Sequence, residues 1–145
     1  MIVQSKKVFI AEQFIPAQIR VDNGKISKIS PYGQTNPDID YGSKLIVPGF
    51  IDIHTHGMGG YSTDDPSPEG LVRWLKALPS EGVTSFLPAT TTQSRQTTIN
   101  ALKNIAMVKN QRHTGAEIVG IHLEGPFLDQ EYKGMHMSEF LRVPS

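Results

Sequence analysis

The rhythm of hydrophobic and polar positions changes near Lys44. Before it, apolar residues come in short stretches: Val8-Phe9-Ile10, then Ala17-Gln18-Ile19-Arg20-Val21, then the alternating Ile26-Ser27-Lys28-Ile29. Side chains two apart share a face of a strand, so these stretches predict three short strands. Asp22-Asn23-Gly24-Lys25 predicts the hairpin turn between the last two, because Asn and Gly accept positive φ. Residues 31–43 are rich in Pro, Gly, Asn and Asp and predict a loop. Residues 1–46 are therefore expected to form a small β segment.

From Leu45 to His54 the chain is almost continuously apolar. Such a run suits a strand buried on both faces, as in a parallel sheet. Pro48-Gly49 predicts a bend before the strand proper, since proline offers no N–H to a ladder. Gly57-Met58-Gly59-Gly60 predicts a flexible loop. A helix is expected to begin near Pro66-Ser67-Pro68-Glu69, with Leu71, Trp74, Leu75 and Leu78 as its apolar stripe. Pro79 and Gly82 end it. Val83-Thr84-Ser85-Phe86-Leu87 predicts a second strand, leading into Thr90, Thr91 and Thr92. A second helix is expected from about Ser94 to Lys109, with Ile99, Leu102 and Ala106 inward. Ile118-Val119-Gly120-Ile121-His122-Leu123 predicts a third strand, ending at Glu124.

The order β-α-β-α-β predicts a parallel α/β fold over residues 47–145. A complete (β/α)8 barrel needs about 250 residues, and this chain has 145. The expected fold class is therefore α/β, a partial (β/α)8 barrel made of the first β/α units. A small three-layer domain is the competing architecture.

Composition narrows the chemistry. Fourteen basic residues balance fourteen acidic ones, so net charge gives no support to nucleic-acid or anionic-membrane binding. A local basic pocket for a phosphorylated small molecule stays compatible with that balance. The chain has no cysteine, which excludes disulfides and thiolate metal sites. Any metal must be held by imidazole, carboxylate, carbonyl or water. No secretory leader and no apolar run of ~20 residues is apparent, and the expected location is the cytoplasm.

Asp52-Ile53-His54-Thr55-His56-Gly57 carries the strongest chemical signal. His54 and His56, two apart at a strand end, would aim both imidazoles at one point, and imidazole is a good ligand for divalent metals. The plainer reading is a pair of histidines that cap the strand. Glu124 ends the third strand, where a poorly solvated carboxylate needs a cation or a partner. It could complete the site, or serve as a cap or ion-pair partner. His122 shares a face with Glu124 and could be a ligand, but a supporting hydrogen bond is the favoured role. His136, in the loop after Glu124, is expected to be exposed and could contact substrate. Thr90, Thr91 and Thr92 could line a polar pocket, although β-branched residues are common in strands. Asp64-Asp65 is read as solvating the loop before the first helix, Asp52 as facing away from the ligands, and Trp74 as core. No P-loop, dinucleotide-binding glycine motif or Ser-His-Asp pattern is evident.

Pro48-Gly49-Phe50-Ile51-Asp52-Ile53-His54-Thr55-His56-Gly57 resembles the first-strand motif of the amidohydrolase superfamily. His122-Leu123-Glu124-Gly125-Pro126-Phe127, with Lys133-Gly134-Met135-His136, resembles the N-acetylglucosamine-6-phosphate deacetylase family more narrowly. The resemblance implies a barrel preceded by part of a small β-sandwich. It implies Glu124 as a metal ligand, and His54 and His56 as the pair that supports a second metal in some members. It implies Met135 and His136 as substrate-binding positions; Met135 stands where alanine is commoner. The cofactor would be one or two divalent metal ions, zinc or iron, and the partner a phosphorylated amino sugar. The reaction would be hydrolysis of the N-acetyl amide, giving glucosamine 6-phosphate and acetate. Further histidine ligands and the proton-shuttling aspartate come from later strands in that family, so these residues alone are expected to be an inactive fragment. Members are often dimers, which extends to the full-length enzyme as an expectation. A dihydroorotase-like or adenine-deaminase relative is one alternative, and a non-catalytic metal or sugar-phosphate binding module is another.

Overall fold

The computed structural model describes residues 1–144. It divides into two compact units, Met1–Pro48 and Gly49–Ser145.

The first unit is one five-stranded sheet. Strands β1 (Ile2–Ile10), β2 (Gln13–Asp22) and β3 (Lys25–Pro31) form an antiparallel meander, and β4 (Ile39–Asp40) and β5 (Leu45–Ile46) pair with β1 in parallel. The β2–β3 turn uses Asn23 and Gly24 at φ 52° and 76°, as its sequence required. The β1–β2 turn is built on Ala11 and Glu12, also at positive φ, and neither residue advertises that conformation. Strands β4 and β5 were not expected; β4 lies within the segment read as a loop. Leu45-Ile46 belongs to this sheet through Lys7↔Leu45 and Val8↔Ile46, so the long apolar run is shared between two sheets. Val8, Ala17 and Ile19 form the core, with Val3, Ile10, Val21 and Ile46 against it.

Buried amides tie the same sheet together. The Gln18 amide nitrogen donates to Gln4 Oε1 (2.7 Å) and to the Thr35 carbonyl (2.6 Å). Its carbonyl accepts from the Thr35 N–H (3.2 Å) and hydroxyl (3.0 Å). Gln4 in turn donates to Asp40 Oδ2 (2.8 Å), which also accepts from the Tyr32 hydroxyl (2.8 Å).

The second unit alternates strand and helix. In chain order it has β6 (Phe50–Thr55), a two-strand hairpin β7 (Gly57–Met58) and β8 (Tyr61–Ser62), α1 (Pro68–Ala77), β9 (Val83–Pro88), α2 (Arg95–Lys109) and β10 (Glu117–Ile118). The main sheet runs β10-β9-β6, all parallel. The expected flexible glycine loop is thus a hairpin. Gly49 permits close approach to β9: a Cβ there would lie 2.2 Å from Thr84 Cγ2.

Local chemistry explains both helices. Ser67 caps α1 by accepting from the Gly70 N–H, with Pro68 in the first turn, and Ser94 caps α2 through the Thr97 N–H. The stripe Leu71, Trp74, Leu75 and Leu78 is buried as expected, against Phe86, Ile105, Val108 and Ile118. Trp74 meets Phe86 edge-on at 5.0 Å. Each such large side chain is worth about 1.5–3 kcal/mol on burial, so this cluster fastens both helices to the sheet.

Three expectations need correction. The inward face of α2 is Ala101, Ile105 and Val108, not Ile99, Leu102 and Ala106. Those residues form an equally valid i, i+4, i+7 stripe, and the neighbouring α1 selects it. Strand β6 is not buried on both faces: Phe50, Ile51 and Ile53 are 67%, 66% and 63% exposed. It lies at the sheet edge, and double-sided burial needs strands and helices that three strands and two helices do not supply. The third strand is shorter than read, stopping at Ile118. Its hydrogen bonding to β9 continues through Val119 N–H to Phe86 O (3.1 Å), His122 N–H to Pro88 O (3.1 Å) and an isolated Ala89↔His122 bridge. Among the described residues, no helix is long and apolar enough to cross a membrane.

Candidate metal centre

The carboxyl ends of the parallel strands bring the predicted residues together. His54 lies on β6 and His56 just beyond it, held by the Ala89 N–H donating to the Thr55 carbonyl at 2.8 Å. Glu124 follows the segment that extends β10, and its N–H donates to the buried Thr90 hydroxyl (3.2 Å). Glu124 Oε2 lies 2.9 Å from His54 Nε2 and 3.2 Å from His56 Nε2. The three ligand atoms lie within 4.8 Å of one another.

The second ring nitrogens fix the protonation pattern. His56 Nδ1 is 3.0 Å from the Ala89 carbonyl, which can only accept, so the proton sits on Nδ1. The other ring nitrogen, Nε2, faces the carboxylate oxygen Glu124 Oε2 at 3.2 Å. Two acceptors facing one another require a proton or a cation between them. His136 has the opposite tautomer. Its Nδ1 accepts from the Thr92 N–H (3.0 Å), so Nε2 carries the proton and donates to Glu124 Oε1 (3.2 Å).

Glu124 is consequently held as an anion. Partial desolvation pushes its carboxyl pKa up, but hydrogen bonds from His54 and His136, with the attraction of the same rings, outweigh it. The net shift is below the ordinary carboxylate value.

His122 lies outside the three-residue group. Its Nδ1 donates to the Ile53 carbonyl (3.2 Å), and its ring stacks on His54 with centroids 4.2 Å apart. Asp52 Oδ1 accepts from the His54 N–H (3.1 Å) and stays outside the three-ligand group. His136 is buried rather than exposed, because its ring packs between Thr92 and Glu124. Met135 is 85% exposed. A cleft of about 410 Å³ opens beside Glu124, lined also by Thr92, Arg95, Phe127, Phe140 and Arg142.

The threonine triplet is the part that sequence reasoning passed over. Thr90 fixes the Glu124 backbone, and Thr92 fixes His136. Thr91 donates through its N–H (3.1 Å) and hydroxyl (2.6 Å) to Asp64 Oδ2. Asp64 is therefore a tether for the loop before α1 rather than a solvating charge. The available signal was three consecutive hydrogen-bonding side chains at the end of a strand.

Comparison with known proteins addresses the family of the chain. The sequence model of a family described as "Amidohydrolase family" matches residues 45–139. The chain is 37% identical over 131 residues to an N-acetylglucosamine-6-phosphate deacetylase of Bacillus subtilis (strain 168), covering 86% of this chain and 33% of that protein. It is 35% identical over 125 residues to an N-acetylgalactosamine-6-phosphate deacetylase of Escherichia coli O157:H7, with the same coverage of 86% and 33%. A solved N-acetylglucosamine-6-phosphate deacetylase from Pasteurella multocida superposes with a TM-score of 0.86 at 26% identity, covering 100% of this chain and 40% of that one. The chain thus spans about a third of the length of the curated relatives it matches.

Proposed function

Because the chain belongs to the amidohydrolase family, we propose that it is part of a metal-dependent enzyme that removes the acetyl group from N-acetylglucosamine 6-phosphate. The products are glucosamine 6-phosphate and acetate. The relatives' names support the substrate class, and one observation carries the chemistry: the ligand atoms of His54, His56 and Glu124 lie within 4.8 Å of one another.

These three residues are the proposed metal ligands. The donor set fits a divalent ion of the zinc or iron type, since it offers imidazole nitrogen and carboxylate oxygen and no sulfur. The set accommodates one ion, or one member of a pair. A divalent cation there would polarise the amide carbonyl and lower the pKa of attacking water. The chain's own residues do the rest: Thr90 anchors Glu124, His122 steadies the His54 ring, and the loop bearing Met135 and His136 meets the sugar. Transfer of a proton to the leaving amine calls for a further carboxylate, which the family resemblance assigns to a strand outside these residues. Residues 1–46 act as a small β segment of a β-sandwich, and residues 47–145 as the first β/α units of a (β/α)8 barrel. The family resemblance extends to the full-length enzyme a cytoplasmic location and the homodimer common among members.

Glu124→Gln in the full-length protein tests the reading. Metal content and deacetylation should both fall by at least the ~10–100-fold typical of lesser changes around a metal ligand. Wild-type metal content and turnover in a folded variant would sink the assignment. A second reading exchanges the substrate for its galactosamine epimer, because one relative carries that name. Comparing kcat/KM for the two N-acetylhexosamine 6-phosphates decides between them.

A further inference from the structure

We infer that His136 is a positioning residue for the metal centre: by donating its Nε2 proton to one oxygen of Glu124, it leaves only the other oxygen to face His54 and His56. The inference rests on the ligand assignment above and goes beyond it, because it gives His136 a role independent of any contact with the sugar.

The geometry is directional. The Thr92 N–H reaches His136 Nδ1 at 3.0 Å, so that nitrogen must be the acceptor. The proton therefore sits on Nε2, 3.2 Å from Glu124 Oε1. Oε2, the other oxygen, is the one near His54 Nε2 and His56 Nε2. A free glutamate side chain can swing both oxygens towards a cation or away from it. Here one oxygen is occupied by a donor, and the carboxylate is presented through a single atom.

His136 is itself firmly held. It is buried, and its carbonyl accepts from Lys133 Nζ at 2.7 Å. Its N–H donates to the Lys133 carbonyl at 3.2 Å, closing a turn over Gly134, whose φ is 58°. Thr90 and Thr92 thus grip Glu124 at both ends. The first holds its backbone directly, and the second holds its carboxylate through His136. Outer partners of this kind typically change metal affinity by 10–100-fold.

The test uses the full-length protein, stripped of metal and titrated with Zn²⁺ against a chelator of known affinity. His136→Asn keeps an acceptor near the Thr92 N–H but withdraws the donor from Glu124; His136→Gln returns a donor of longer reach; His136→Phe removes both. The Asn and Phe variants should bind Zn²⁺ about 10–100-fold more weakly, with Gln recovering most of the loss. Wild-type affinity in either the Asn or the Phe variant, folded by circular dichroism, overturns the inference. So does equal weakening in Asn and Gln, which would mark a role in packing alone. Glu124→Gln, run in parallel, separates this failure from a deeper one. If Glu124→Gln loses Zn²⁺ while His136→Asn keeps it, only the role of His136 falls. If Glu124→Gln also keeps it, the ligand assignment falls first.

Discussion

Two polar clusters, one in each unit, have opposite bonding logic. Around Gln18 every amide hydrogen meets an acceptor and both carbonyl lone pairs meet donors. Around Glu124 the carboxylate accepts from His136 on Oε1, while Nε2 of His54 and Nε2 of His56 crowd the single oxygen Oε2. The first cluster is complete as it stands and needs no visitor. The second gathers three ligand atoms within 4.8 Å of one another, an arrangement that could hold a cation. Burial and polarity alone do not separate a structural network from a site; the match of donors to acceptors does.

Reciprocal substitutions give this contrast its sharpest test. Gln18→Glu would turn two donors into acceptors facing Gln4 Oε1 and the Thr35 carbonyl, importing the mismatch of one cluster into the other. The expected cost is about 3–5 kcal/mol, as for an uncompensated buried charge, read from denaturant unfolding of the full-length protein. A loss below ~1 kcal/mol would break the comparison. In the opposite direction, Glu124→Gln replaces the carboxylate facing His54 and His56 with a neutral amide. Metal-free stability should change by less than ~1 kcal/mol. The wild type should gain about 2.7 kcal/mol at free metal a hundredfold above its Kd, and a variant that binds at least tenfold more weakly should gain no more than about 1.4 kcal/mol. A thermal shift assay with and without Zn²⁺ reads both quantities, and an equal metal-induced shift in both proteins would contradict the argument.

Legibility in the sequence follows the range of the interactions. His54, His56 and Glu124 could be read because strand periodicity and strand ends are local signals, and the α1 stripe could be read for the same reason. The pairing of β4 and β5 with β1 could not, since each strand is two residues long and its partner is remote in sequence. The face of α2 was ambiguous because Ile99 and Leu102 compete with Ile105 and Val108, and only α1 decides between them. His136 lies 44 residues from Thr92 in sequence. No local pattern marks either residue as the other's partner, and a histidine in a polar loop reads by default as exposed. Thr90 and Thr92 were passed over because threonine is ordinary in strands; their value lies in what the fold sets opposite them.

Acid provides the gentlest probe of the difference between the clusters. Asp40 closes the Gln18 network at its solvent end. The Gly42 N–H, the Gln4 amide and the Tyr32 hydroxyl donate to it and hold its carboxyl below the ordinary value, against a small opposing effect of desolvation and with help from Lys6. A carboxylate whose folded pKa is depressed contributes stability that is fully present above the unfolded pKa. That contribution is lost as pH falls through the folded value. Stability of the wild type should therefore decline as pH drops below the ordinary aspartate range, and Asp40→Asn should flatten this decline without altering stability near neutrality by much. The group is exposed, so the effect should be the smallest of those considered. Unfolding midpoints taken from pH 6 downwards, with metal removed to silence the other cluster, provide the measurement. Identical slopes for the two proteins would mean that Asp40 only borders the network and takes no part in holding it together.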